Sequence, residues 1–227
     1  MTLHSYRNLN PHLFTYTFNG NAISRVNTFK DLGVTFQSNC LFSQHVHNIV
    51  NKAFKTLGFI KRVLHFVNDF KTILTIYIAT VRSIISYASV VWCPSQVYLI
   101  NEIESVQRNF IRYICNKFNH DRDAHSYEVF CQKFNLLTLH QHRLYLGLNF
   151  LYNVIHSKVQ SPNLLKNISL YTPPVATRKH LVFGIKTART EYKKRIWHQL
   201  LPQYCNDKNL IPFTNFSTWK KEVLKSL

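Results

Sequence analysis

The chain has 227 residues, enough for one large domain or two small ones, and 46% of them are hydrophobic, which excludes extended disorder over most of its length. The 17 Phe and 12 Tyr beside only 5 Gly disfavour Gly-rich phosphate loops and turn-dense β-sandwiches and favour a helical protein with large side chains in its core. Lys and Arg number 28 against 10 acids, a formal charge of +18, so a polyanion is the partner class that composition points to. The imbalance is uneven. Residues 1–131 carry an excess of +6 and residues 132–227 one of +12.

The opening residues, "MTLHSYRNLNPHLFTYTF", lack a basic n-region followed by an apolar h-region, so no signal peptide is expected. Five cysteines (Cys40, Cys93, Cys115, Cys131 and Cys205) are odd in number and scattered, which fits a reducing compartment, nuclear or cytoplasmic, rather than a disulfide framework. "FTYTFNGNAISRV" alternates aromatic and Thr residues up to Asn19-Gly20 and resumes with Ile23 and Val26. Asn-Gly readily takes positive φ, which predicts a β-hairpin. "FKDLGVTFQ" reads as a short strand with Leu32, Val34 and Phe36 on one face and Gly33 between them, a place for close backbone approach or a bulge.

From Ser43 the period changes. Val46, Ile49, Val50, Ala53, Leu57, Ile60 and Leu64 mark one face of an amphipathic helix at spacings dominated by three and four, and the other side carries Asn48, Asn51, Lys52, Lys55 and Arg62 with no acid among them. Asn68 or Asp69 is placed to cap the next helix, expected to run to about Trp92 and to end at Pro94. This stretch, "YIATVRSIISYASVVWCP", is apolar nearly all round, so it is central in a fold or in lipid. Only ten residues separate Lys71 from Arg82, short of the roughly 17 to 25 a span needs, and Arg82 near a bilayer centre would cost ~2.5 to 3.5 kcal/mol. No membrane span is expected.

Residues 97–118 repeat the amphipathic pattern through Ile103, Val106, Phe110, Ile114 and Phe118, with Glu104, Arg108 and Arg112 at successive i, i+4 positions. One Glu can pair with one Arg, which leaves Arg112 available. After a polar connector, "SYEVFCQKFN" and "LHQHRLYLGLNFLYNVIHSK" read as two further helices. Beyond Ser161 come extended pieces, a helix from about Thr190 to Leu201, and a closing helix capped by Ser217. Residues 178–195 hold seven bases against Glu191 alone.

The ten acids include no adjacent pair, whereas a two-metal site needs carboxylates clustered about ions ~3.5 to 4 Å apart. Cys115, His120, His125 and Cys131 are too widely spaced for a zinc module, and no Ser or Cys stands in a nucleophile context. No catalytic residue, metal ligand or cofactor follows from the residues.

Three stretches, "VNTFKDLGVTF", "YIATVRSIISYASVVWCP" and "INEIESVQRNFIRYI", together resemble the end of the reverse transcriptase of non-LTR retrotransposons, in particular the jockey-like LINE elements of animals. The resemblance covers roughly residues 20–160, and "RTEY" and "LPQYCN" are more loosely similar to the family's C-terminal tail. It implies an RNA-directed DNA polymerase whose catalytic aspartates, in an aromatic-Ala-Asp-Asp turn, and whose Mg²⁺ belong to a palm absent from this chain. Leu32 and Gly33 would match the Leu-Gly of the primer-grip region. The apolar stretch would match the thumb's central helix, with Arg82 either buried against a carboxylate or carbonyl or reaching the nucleic-acid groove.

The expected fold is therefore mainly α: a helical thumb-like bundle with a small N-terminal antiparallel β-hairpin or sheet left from a polymerase palm. Residues 1–38 would be the palm edge, 39–125 the thumb-like domain and 126–227 a basic helical extension. The expected function is to grip the backbone of an RNA or DNA primer-template without catalysis, through Lys52, Lys55 and Arg62, then Arg108 and Arg112, then Arg189, Lys193, Lys194 and Arg195. The missing palm and fingers would be a further partner. The competing readings are a decayed transposon product serving as a protein-interaction module and, behind it, a membrane-associated basic protein.

Overall fold

The computed structural model describes residues 15–118, 127–172, 181–185 and 197–227. Helix predominates among them, with two small antiparallel hairpins near the N-terminus, the mainly α architecture that the apolar periodicity predicts. They form two compact units. One comprises residues 15–88 and 96–118; the other joins Ser89–Ser95 to the described residues from Tyr127 onward.

In the first unit, β1 (Thr17–Phe18) pairs with β2 (Asn21–Ala22) across Asn19 (φ 49°) and Gly20 (φ 79°). These two positive φ values are what a two-residue turn matched to strand twist requires. The stretch from Phe29 to Gln37 corrects the sequence reading: it is not one strand but a second hairpin, β3 (Thr28–Asp31) against β4 (Val34–Gln37), and Leu32 (φ 45°) with Gly33 (φ 86°) is its turn. Alternation alone looks the same whether a strand continues or folds back on itself, and Leu gives no turn signal. The hairpins are two separate sheets rather than one.

Helix α1 (Ser43–Val63) buries Val46, Val50, Ala53, Leu57 and Ile60, four and three residues apart. Its N-terminus is capped from the neighbouring strand: Gln37 Oε1 accepts the Gln44 backbone N–H at 3.0 Å and the Ser43 hydroxyl at 3.1 Å. The next helix, α2 (Phe70–Tyr77), begins where Asp69 accepts the N–H groups of Lys71 and Thr72. It then widens into a π turn (Ile78–Arg82), resumes as α3 (Ser83–Ser86) and stops at Tyr87, before Ala88 (φ 50°). The single helix expected to reach Trp92 is thus broken. Thr75, Thr80 and Ser83 hydroxyls donate to carbonyls four residues back, a bond that bends helices and leaves no mark on the apolar pattern of the run. The π turn also keeps Ile73, Tyr77, Val81 and Ile85 buried together. At 3.6 residues per turn, side chains four apart would drift by about 40° at each step, and the wider turn takes up that drift.

Helix α5 (Val97–Lys117) completes this unit, burying Leu99, Ile103, Val106, Phe110 and Ile114; α4 (Ser89–Trp92) lies in the other unit. The Tyr77 ring stacks on Phe110 at 3.7 Å and its hydroxyl donates to Gln107 Oε1 at 3.2 Å. Contacts of His47 with Glu102, Lys61 with Asn109 and Lys117 with the Leu64 carbonyl advance together along both helices, so α1 and α5 run in the same direction.

The second unit is organised by α7 (Leu139–Ile155), which follows α6 (Tyr127–Lys133) and starts in a capping box of Thr138 and Gln141. Leu148, Leu151 and Tyr152 pack with Phe183, with Leu201 and Cys205 of α9 (Trp197–Asp207), and with Trp219 and Val223 of α10 (Phe216–Ser226). A short α8 (Pro162–Leu165) lies between α7 and α9 in the chain. Two boundaries differ from expectation. Helix α9 continues through Pro202 to Asp207 instead of ending at Leu201, and α10 starts one residue after Asn215, which makes no side-chain cap bond, rather than after Ser217; the expected start of α9 near Thr190 lies outside the described residues. The Asn206 side chain accepts from the N–H groups of Val182 and Phe183 and donates to the Phe183 carbonyl, pinning an extended strand of chain to α9 after the proline.

Candidate nucleic-acid interface

Bases in the first unit divide into those used inside the fold and those left on its surface. Lys61 Nζ donates to the Asn109 carbonyl and side chain and lies 5.4 Å from the centre of the Tyr113 ring; burial pulls its pKa below the usual lysine value. Lys117 Nζ donates to the carbonyls of Leu64 and His65, placing a cation where the C-terminal carbonyls of α1 concentrate negative charge. Both are fasteners. Arg82 is buried in the π turn, at 7% exposure, and is not part of a surface.

Lys52, Lys55 and Arg62 are exposed, and among the described residues none of the three side chains has a hydrogen-bond or ion-pair partner. At 100° per residue they lie within about 80° of one another and opposite Val46, Ala53, Leu57 and Ile60. Arg112 is exposed on α5. Arg108 is half-buried and its Nη2 donates to the Asn101 carbonyl at 2.8 Å, so it is engaged with its own helix.

The acids of this unit do little to offset that face. Asp69 is committed to the α2 N-terminus, and the Thr72 hydroxyl, followed by backbone N–H groups, holds its carboxyl below the usual range. Glu102 lies 2.7 Å from His47, and Glu104 is buried.

Leu32 and Gly33 are placed on a turn rather than in a strand. The Leu32 carbonyl accepts the Tyr87 hydroxyl at 2.9 Å, and a Cβ on Gly33 would come 3.5 Å from the Tyr87 ring. The Leu-Gly and Tyr-Ala-Ser segments of the first two stretches singled out in the sequence therefore meet. Arg189, Lys193, Lys194 and Arg195 lie outside the described residues. Sequence reasoning missed two aromatics on the basic side of α1 and just beyond it: Phe59 is 59% exposed and Phe66 87%. The available signal was that neither belongs to the apolar stripe.

Among the described residues no group of His, Cys, Asp and Glu is placed to hold a metal ion, and no helix is long and apolar enough to cross a membrane. No protein-family model, curated protein or solved structure matches the chain.

Proposed function

We propose that the chain is a nucleic-acid-binding piece of a non-LTR retrotransposon reverse transcriptase, comprising the palm edge, thumb and C-terminal extension, and that it grips primer-template backbone without catalysing polymerisation. The observation that carries the gripping role is the exposed face of Lys52, Lys55 and Arg62, free of partners among the described residues on a helix that carries no acid. A surface that must follow a duplex of any sequence needs phosphate contacts from a rigid support, and cations on a packed helix supply them. The polymerase origin rests on the resemblance of three ordered stretches. The meeting of Tyr87 with the Leu32-Gly33 turn supports it by giving two of those stretches one place in the fold.

The test is the combined substitution Lys52→Gln, Lys55→Gln and Arg62→Gln in the full chain. Gln keeps helix propensity and removes charge, so circular dichroism should stay unchanged while the slope of log K against log salt flattens by roughly two to three units on a random-sequence primer-template. A wild-type slope in the triple variant would reject this face and make the basic C-terminal region the better candidate. The same reading expects no primer extension by the isolated chain with Mg²⁺ present. Extension by a preparation freed of contaminating polymerases would show that carboxylates for the two-metal step are present after all.

A further inference from the structure

The basic side of α1 and the turn after it expose two aromatic rings to solvent. Phe59 is 59% exposed although the apolar face of the helix is already complete from Val46 to Leu64, and Phe66, in the turn just after the helix, is 87% exposed. Lys55, Phe59 and Arg62 follow one another on α1 at spacings of four and three, so a ring lies between two cations along one side of the helix over about 10 Å at a rise of ~1.5 Å per residue, and Phe66 follows in the turn beyond the helix end. His65 packs its ring edge-to-face on Phe66, with centroids 5.1 Å apart, and supports it from one side.

We infer that this surface takes unpaired nucleotides, with Phe59 and Phe66 stacking on bases while Lys55 and Arg62 meet the intervening phosphates. The inference rests on the backbone-grip reading and gives it a substrate class, single-stranded nucleic acid such as a frayed or unwound end. Charge complementarity identifies the polyanion, and the rings add what a duplex has no use for, because paired bases hide their faces in the stack. An anionic membrane surface is the other occupant that combines charge with apolar groups. A helix lying in a bilayer interface segregates an apolar face from a basic one, and the apolar face of α1 is occupied by its own core.

The experiment compares a fluorescent deoxythymidine oligonucleotide with an abasic oligonucleotide of equal length, using the full chain. Wild type should prefer the base-bearing strand by roughly tenfold or more, since stacking is sequence-tolerant but needs a base. Phe59→Leu with Phe66→Leu keeps apolar surface and removes both rings. The double variant should bind the two oligonucleotides equally and keep the wild-type salt slope. The inference is overturned if wild type does not distinguish the two strands, or if the preference survives in the double variant. It is also overturned if the substitutions instead abolish binding to phosphatidylserine vesicles while leaving both oligonucleotides unaffected. Failure of wild type to bind either strand while it still binds primer-template overturns the inference and leaves the backbone grip standing, whereas failure to bind all three sinks both.

Discussion

At the scale of single residues, His45 is one of the side chains that join the second hairpin to α1. Its Nδ1 accepts the Thr35 backbone N–H at 3.2 Å, and the residue is buried. Burial first, and the Lys30 charge second, hold its pKa below the ordinary 6.5. A histidine with a lowered folded-state pKa binds its proton more readily when unfolded, so its contribution to stability is whole above about pH 6.5 and is lost as pH falls through the window down to the folded value. Protonation would also turn the Nδ1 acceptor into a donor facing another donor. Urea unfolding at pH 7.5 and at pH 5.5 should therefore show a loss of stability in acid that is smaller in His45→Asn, whose side-chain oxygen can stand in for Nδ1 and does not titrate. An equal loss in both proteins would place the acid sensitivity elsewhere.

At the scale of elements, α1 shows how a helix can be legible as an element while its anchoring is not. Its two faces follow from Val46, Val50, Ala53, Leu57 and Ile60 against Lys52, Lys55 and Arg62, because a 3.6-residue period is written into sequence order. Its cap is not, because Gln37 reaches it from β4 and a bond between separate elements leaves no trace in local spacing. Gln37→Ala should cost about 1 kcal/mol, the usual worth of an N-cap, and raise amide exchange at Gln44, the one backbone N–H that Gln37 accepts, ahead of the rest of the helix. Unchanged exchange there would mean that water replaces the amide at no cost. The same limit explains the second hairpin, whose turn residue Leu32 carries no turn signal and takes its place with Tyr87, 55 residues away, bonded to its carbonyl. The candidate interface was readable for Lys52, Lys55 and Arg62, which depend on one helix alone. It was not readable for the withdrawal of Lys61, Lys117 and Arg108, since only packing decides which lysine or arginine has a carbonyl within reach.

At the scale of the whole molecule, the N-terminal hairpins carry apolar surface that nothing among the described residues covers. Phe18, Ile23, Phe29 and Leu32 are all more than half exposed, and the hairpins end in unpaired strand edges. Such a surface invites association. If these hairpins are the edge of a palm whose remainder is elsewhere, the chain should self-associate at high concentration and bind an apolar dye, and both signals should fall when Phe18 and Phe29 are changed to Ser. A monodisperse monomer that binds no dye would count against the palm-edge reading.

The division of the chain between the two units also sets an order of events during synthesis. Ser89–Ser95 interrupts the first unit but belongs with the second, where α4 packs on α7, and its Trp92 is completely buried. A ribosome delivers Trp92 before any of α7 exists. With α7 ending at Ile155, translation at ~5 to 20 residues per second leaves α4 waiting for about 3 to 13 s for the helix it packs on. Meanwhile α1, α2 and α5 have all been completed on either side of it. The nascent chain therefore passes through a stage in which a nearly finished helical unit is interrupted by a short apolar helix whose packing partner has not yet been made, and it is there that a chaperone acting during translation would find its handle.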